Sequence, residues 1–271
     1  MYLKILVAVN ESFNSELASH HAIAIAASGN SELVVLAVDS GEVNPENLSS
    51  SVNRIVNHAK KYGVNARGIV RKGELIKTIL ATVYAEHADL LVTATRHSDY
   101  RLFVRSTAQE LMKKASCSVI AVKPAGIALK GKSLLLPIER RQNVPIDEQV
   151  MLTAGLARFY NFTVEILNVI EQRQWYEIPW EILHKIRTHG EESLMPILNA
   201  IKEQGIEAEV RAVVTEKSKE AILKEVAIGK HSILLIAASR VNILKHVVKG
   251  NPMEQILSGS LCDVLIWRPG R

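Results

Sequence analysis

Short aliphatic runs alternate with longer amphipathic segments along the whole chain. Ile5-Leu6-Val7-Ala8-Val9 and Leu33-Val34-Val35-Leu36 are apolar at consecutive positions, the pattern of strands buried on both faces. Amphipathic helices between such runs make βαβ units that feed a parallel sheet. In the first half, strands are expected at about 3–9, 33–39, 66–71, 89–95 and 118–123, with helices near 13–28, 46–62, 74–87 and 106–115. Ser12 to Ser15 and Gly73-Glu74 provide starts for two of these helices. In the second half, strands are expected near 132–138, 162–170, 207–214, 232–238 and 262–267. Helices fall at 146–160, 178–205, 217–229 and 252–258, the last with Asn251 as N-cap and Pro252 at its first position.

The two halves repeat one another. Asp89-Leu90-Leu91-Val92, Arg96, Ser106 and Cys117-Ser118-Val119-Ile120 return as Ile233-Leu234-Leu235-Ile236, Arg240, Asn251 and Cys262-Asp263-Val264-Leu265, with an offset of 144 to 145 residues for the last three. A period this long marks duplicated domains rather than a solenoid. The boundaries expected are 1–126 and 132–271, joined by a short Gly-punctuated linker that keeps the halves side by side. Right-handed crossovers then make each half an open, doubly wound α/β sheet.

Composition narrows the function. The 271 residues suit two domains, and 48% hydrophobic with only 5% aromatic content means aliphatic cores. A net charge of +5 tolerates anionic ligands, but no cluster of Lys/Arg with stacking aromatics speaks for nucleic acid. No run approaches a membrane span, and the N-terminus lacks a signal-peptide layout, so the expectation is a cytoplasmic protein that is not membrane-embedded. Cys117 and Cys262 hold the same place in each repeat; a disulfide needs the two sheet edges to meet, and two small apolar residues in a reducing compartment is the simpler reading.

The scattered histidines include no His-x-x-x-His, and no Cys-x-x-Cys occurs, so no metal is expected. His20 and His21 point to different helix faces, one towards the core edge and one towards solvent. No Gly-x-Ser-x-Gly is present, and nothing resembles a catalytic set. The stretch from Gln172 to Trp180 holds two of the three tryptophans. It reads either as a partner-docking patch or as a helix entry whose aromatics pack on the sheet edge, the latter being the expectation.

The opening strand ending at Asn10 with Ser12 and Ser15 after it, the helix running into Asp89-Leu90-Leu91-Val92, and the pre-strand Cys117-Ser118-Val119-Ile120 resemble the universal stress proteins in their tandem form. The resemblance implies strand order 3-2-1-4-5 in each half. It also implies final strands, 118–123 and 262–267, that pair with one another as they do across a dimer interface in that family. A dimer of tandem chains is the homo-oligomer it suggests.

The nucleotide-binding branch of the family has a glycine-rich loop after its fourth strand, whose bare backbone approaches phosphate and whose end opens a helix. In the first half Ala94, His97 and Arg105 stand at the glycine positions, and Asn10 replaces the acid that holds adenosine. That site, with Val38, Arg96 and Ser106, is expected to be degenerate and empty. In the second half the positions are Ala238, Val241 and Gly250, followed by Asn251, and Glu139 keeps the acid. Gly250-Asn251-Pro252 also resembles the loop in stress-protein domains attached to membrane transporters. A plain capped helix would need no ligand there. Arg96 and Arg240 could each pair with phosphate or equally neutralise a surface carboxylate.

The resemblance therefore implies a stress-response binding protein. It would hold ATP, another adenine nucleotide or a different small anion at Glu139, Val169, Ala237, Ala238, Arg240, Gly250 and Asn251. The alternative is an interaction scaffold without nucleotide whose protein partner could be a membrane transporter. Slow ATP hydrolysis is the weakest reading, since no residue is placed to activate water.

Overall fold

A computed structural model of the chain describes residues 2–41, 44–95, 106–125, 131–138, 144–238 and 252–270. The first half comprises β1 (Lys4–Val9), α1 (Phe13–Gly29), β2 (Glu32–Asp39), α2 (Pro45–Lys61), β3 (Ala66–Lys72), α3 (Leu75–Ala85), β4 (Leu90–Ala94), α4 (Thr107–Lys114) and β5 (Ser118–Lys123). The second comprises β6 (Ser133–Ile138), α5 (Ile146–Tyr160), β7 (Thr163–Glu171), α6 (Trp180–Glu192), α7 (Met195–Glu203), β8 (Ala208–Thr215), α8 (Ser218–Ile228), β9 (Ile233–Ala237), α9 (Pro252–Gly259) and β10 (Asp263–Arg268).

The strands form one sheet in the order β3-β2-β1-β4-β5-β10-β9-β6-β7-β8. Each half thus has the expected order 3-2-1-4-5, and within a half neighbouring strands run parallel. The halves join where β5 meets β10 antiparallel, with Lys123 opposite Val264 and Val119 opposite Arg268. Two edges that would otherwise offer unpaired N–H and C=O groups are consumed in this ladder.

Side-chain alternation along the ladder divides the core by sheet face, not by half. Ile120, Val122, Leu265 and Trp267 join a cluster with residues of α1, α2, α5 and α7. Val119, Ala121, Val264 and Ile266 join the opposite cluster with α3, α4, α8 and α9. Both clusters cross from one half into the other. The helix α1 is buried nearly all round because it lies on its own sheet and against α5. The small residues of this contact let the helices approach closely: Ser28 Oγ donates to the Gly155 carbonyl at 2.6 Å.

Polar groups tie the same seam. Trp267 Nε1 donates to the Tyr2 hydroxyl at 2.9 Å, which donates to Glu148 at 2.8 Å, and Ser118 Oγ donates to the same carboxylate oxygen at 2.7 Å. Burial and the Glu148 carboxylate push the Tyr2 hydroxyl well above the ordinary phenol range, so it stays a donor. His21, buried as one member of the adjacent pair, meets Asp263 at 2.9 Å across the halves, while His20 is exposed.

Two expectations are corrected. The single helix at 178–205 is two, α6 and α7, separated at Ser193–Leu194. Pro196, in the first turn of α7, has no N–H for the preceding turn and its ring clashes with a continuing helix. Before the break, Gly190 brings α6 against the sheet: a Cβ there would lie 2.7 Å from Ile170 Cδ1 and 3.2 Å from Ala212 Cβ. Asn168 Nδ2 donates to the Gly190 carbonyl at 2.7 Å.

The aromatics of 172–180 do not pack on the sheet edge as expected: Tyr176 is 65% exposed and Trp180 67%. The buried positions of α6 are Leu183 and Gly190, and Trp180 stays outside that stripe with His184 and Arg187 against its ring. The simpler reading of the cysteines holds: the sheet edges do meet, yet antiparallel pairing puts Cys117 and Cys262 at opposite ends of the ladder, and both are free thiols. Burial pushes the Cys117 thiol up to about 11 and raises that of Cys262.

Candidate functional site

Ser12 caps α1, its side chain accepting from the Ser15 N–H, because a short hydroxyl at the N-cap satisfies a donor the helix leaves free. This starts α1 immediately after β1 and fixes Asn10 between two strand ends. Register pairs Val9 with Ala37 and Ala8 with Thr93, so Asn10 falls at the level of Val38 and Thr95, one residue past Ala94. Ser106, the N-cap of α4, accepts from Gln109 N at 3.1 Å. These four predicted positions stand at the carboxyl ends of β1, β2 and β4 and at the start of α4, where the strand order reverses. Arg96, His97 and Arg105 lie outside the described residues.

Asn10 is spent on its own loop. Its Oδ1 accepts from Ser12 N at 2.9 Å and from Ser12 Oγ at 2.6 Å, and its N–H donates to Ser15 Oγ at 2.9 Å. Thr95, which sequence reasoning did not single out, is 2% exposed at the end of β4. Its N–H donates to Val122 O at 2.7 Å, but Oγ1 has no hydrogen-bond partner among the described residues. A buried hydroxyl in that condition is costly. The sequence repeat matched Ala238 with Ala94 and so gave no signal for it; in the structure Ala238 makes the matching bond, from its N–H to Trp267 O at 2.7 Å, and has a methyl where Thr95 has a hydroxyl.

In the second half Ile138, the last residue of β6, pairs with Asn168, so Val169 extends β7 one residue beyond that pair. Val169, Ala237 and Ala238 are buried and apolar; Val169 and Ala238 share the sheet face covered by α8 and α9, while Ala237 faces the opposite cluster. The helix α9 opens at Pro252, as expected from a proline preset for the first helical position. Glu139, Arg240, Gly250 and Asn251 fall outside the described residues. The helix starts of α4 and α9 each present the positive end of a helix dipole.

Two cavities bounded by described residues lie elsewhere. One, of about 20 Å³, is between α1 and α5 and is lined by Tyr2, Ser28, Glu148 and Gly155 among others. The other is an open groove of about 400 Å³ between α1 and α2, lined by Glu16, His20, Arg54, His58 and Lys61 among others. There the His20 and His58 rings stack with centroids 4.8 Å apart, and burial together with His58 holds His20 below its ordinary value. Among the described residues no group of three or more His, Cys, Asp or Glu is arranged to hold a metal ion, and no helix is long and apolar enough to cross a membrane.

Residues 1–123 match the Universal stress protein family. No curated protein matches the chain. Over nearly its full length the fold is similar to three solved structures. A functionally unknown protein from Pseudomonas aeruginosa PAO1 is 16% identical with a TM-score of 0.65, over 99% of this chain and 93% of that one. A universal stress protein from Archaeoglobus fulgidus DSM 4304 is 13% identical with a TM-score of 0.65, over 98% and 96%. The cytoplasmic domain of a prokaryotic cation chloride cotransporter is 13% identical with a TM-score of 0.64, over 98% and 95%. At these identities the likeness is one of fold. The first half, residues 1–123, is thus similar to the universal stress protein family, and the second half repeats that half's strand order.

Proposed function

We propose that the chain is a stress-response binding protein that holds a small anion, an adenine nucleotide by preference, at the strand ends of its second half. One observation carries the reading: Val169 and Ala238, both buried, put small apolar side chains on one sheet face at the strand ends of the half whose α9 follows Gly250. Its first-half counterpart has Asn10 locked onto Ser12. Gly250 leaves backbone free to approach phosphate, the first N–H groups of α9 point at the anion, and Arg240 closes over the charge. Binding is the whole activity in this reading, with no bond made or broken.

Titration of a fluorescent adenine nucleotide against the full chain tests it. A charge-assisted hydrogen bond contributes about 1.5–3 kcal/mol, so Gly250→Val and Arg240→Ala should each weaken binding about tenfold or more. Arg96→Ala should change little. Equal losses from Arg96→Ala and Arg240→Ala, or no binding by the parent at millimolar nucleotide, would overturn the proposal. The second reading, a scaffold without nucleotide, is favoured by the exposure of Tyr176 and Trp180 on the α6 side of the second half.

A further inference from the structure

The last residue of each half's final strand is a buried cation. Lys123 ends β5 and is 5% exposed; Arg268 ends β10 and is 0% exposed. They occupy one position of the repeat, 145 residues apart. A lysine ammonium or guanidinium withdrawn from water needs strong acceptors, and neither cation finds its acceptor at a helix end of its own half. Lys123 Nζ donates to the carbonyl of Ser260 at 2.9 Å, and Ser260 closes the last turn of α9, its N–H donating to Ile256 O. Arg268 Nη2 donates to the carbonyls of Ala115 at 3.1 Å and Cys117 at 2.7 Å, and Ala115 is the C-cap of α4. Ala115 and Ser260 are again 145 residues apart. The arrangement is therefore reciprocal: each half reaches across the β5–β10 ladder and grips the C-terminal end of the other half's helix.

Helix C-termini leave carbonyls without intrahelical partners, and a cation there also meets the negative end of the dipole. The two gripped helices are α4 and α9, whose opposite ends front the candidate sites. We infer that Lys123 and Arg268 are crossed positioning residues: the first half sets the helix of the second-half site, and the second half sets the helix of the first. The grips are unequal. The guanidinium spans two carbonyls of the segment after α4, while the ammonium meets one after α9 among the described contacts. The helix of the second half is consequently the looser of the two. A ligand that pulls on the start of α9 is felt at the Lys123–Ser260 contact, which belongs to β5, so occupancy of one half is transmitted to the strand of the other. The transmission to a ligand rests on the nucleotide reading above; the crossed grip itself does not.

Hydrogen exchange of the full chain, read by mass spectrometry, separates the two. Loss of one charge-assisted hydrogen bond corresponds to about a tenfold rise in local exchange. Lys123→Met should produce that rise in 252–262 and leave 106–116 as in the parent. Arg268→Met should do the reverse. Lys123→Arg should restore protection of 252–262, and Arg268→Lys, the milder change should the Met variant fold poorly, should raise exchange at 106–116 only in part. Faster exchange in both helices alike, or in the helix of the mutated residue's own half, overturns the inference. In parallel, labelled adenine nucleotide should bind Lys123→Met more weakly than Arg268→Met. A crossed exchange pattern with no nucleotide binding by the parent would uphold the crossed grip and remove the ligand reading. Crossed exchange with equal binding by the two variants would overturn the transmission.

Discussion

Replacing Trp267 with alanine tests whether the two halves share one core. Trp267 lies on β10 of the second half, is 0% exposed, stands opposite Ile120 of the first, and donates its Nε1–H to the Tyr2 hydroxyl. Truncating a fully buried tryptophan costs about 3–5 kcal/mol through lost transfer energy and the cavity left behind. The lost hydrogen bond to Tyr2 adds about 1 kcal/mol. With about 2–4 °C of melting temperature per kcal/mol in chains of this size, the variant should melt about 8–24 °C below the parent. Trp180→Ala is the internal control: that ring is 67% exposed, and its loss should stay within about 0.5 kcal/mol. Thermal unfolding followed by circular dichroism and by calorimetry measures both. Because the cluster around Trp267 contains residues of both halves, the signal for the two halves should fall together or the transition should split, but neither half should melt as in the parent. A Trp267→Ala variant melting within about 2 °C of the parent, or one less destabilised than Trp180→Ala, would refute the shared core.

Residues 1–126 expressed alone would expose the edge of β5 and the α5-facing side of α1; the fragment should self-associate or aggregate, and a monomeric species by sedimentation with a full cooperative transition would contradict this. Gly190→Val would place atoms 2.7 Å from Ile170 Cδ1, so α6 should lift from the sheet at a cost of about 1–3 kcal/mol, visible as faster proteolysis within 172–194. The Arg67 guanidinium bonded to Glu86 holds that carboxyl below the ordinary glutamate range. A folded-state value depressed in this way contributes stability above the unfolded value of about 4.3, and loses it as pH falls from there through the folded value. Urea midpoints for Glu86→Gln should therefore fall less than the parent's between neutral pH and the acid side of that range; parallel losses would contradict the pairing.

Nearly every element was legible because its signals are local, whereas the strand order came from the resemblance. Consecutive aliphatics mark β1, β2 and β4, and Ser12 and Pro252 mark helix starts through hydrogen bonds made within one turn. The break between α6 and α7 was written locally too, in Pro196, but the apolar periodicity on either side of it reads as one long helix. The exposure of Trp180 was not legible, because an aromatic on a helix has the same sequence whether its face meets a sheet or solvent. The Lys123–Ser260 and Arg268–Ala115 contacts join residues far apart in the chain, and only the repeat hinted at them, by placing Lys123 against Arg268; Thr95 was not legible, because the sequence repeat set Ala94 against Ala238. Of the candidate site, Asn10, Val38, Ala94, Val169, Ala237 and Ala238 stand at strand ends, Ala237 on the opposite sheet face from Val169 and Ala238, while Arg96, His97, Arg105, Glu139, Arg240, Gly250 and Asn251 lie outside the described residues.

The antiparallel β5–β10 ladder gives this chain a freedom that a pair of separate copies lacks. In a symmetric pair every substitution occurs twice, so a change that closes one pocket closes both. Here the pairing is intramolecular, held at the high effective concentration that a short tether imposes, and it does not dissociate on dilution. The partners are also present in one-to-one ratio by construction. Each half can then drift under its own constraints while remaining bound to a partner that supplies its missing edge. Thr95 against Ala238 and Lys123 against Arg268 are such divergences, tolerated at matched positions of one continuous sheet. A division of labour between a sensing half and a supporting half is open to this chain for that reason.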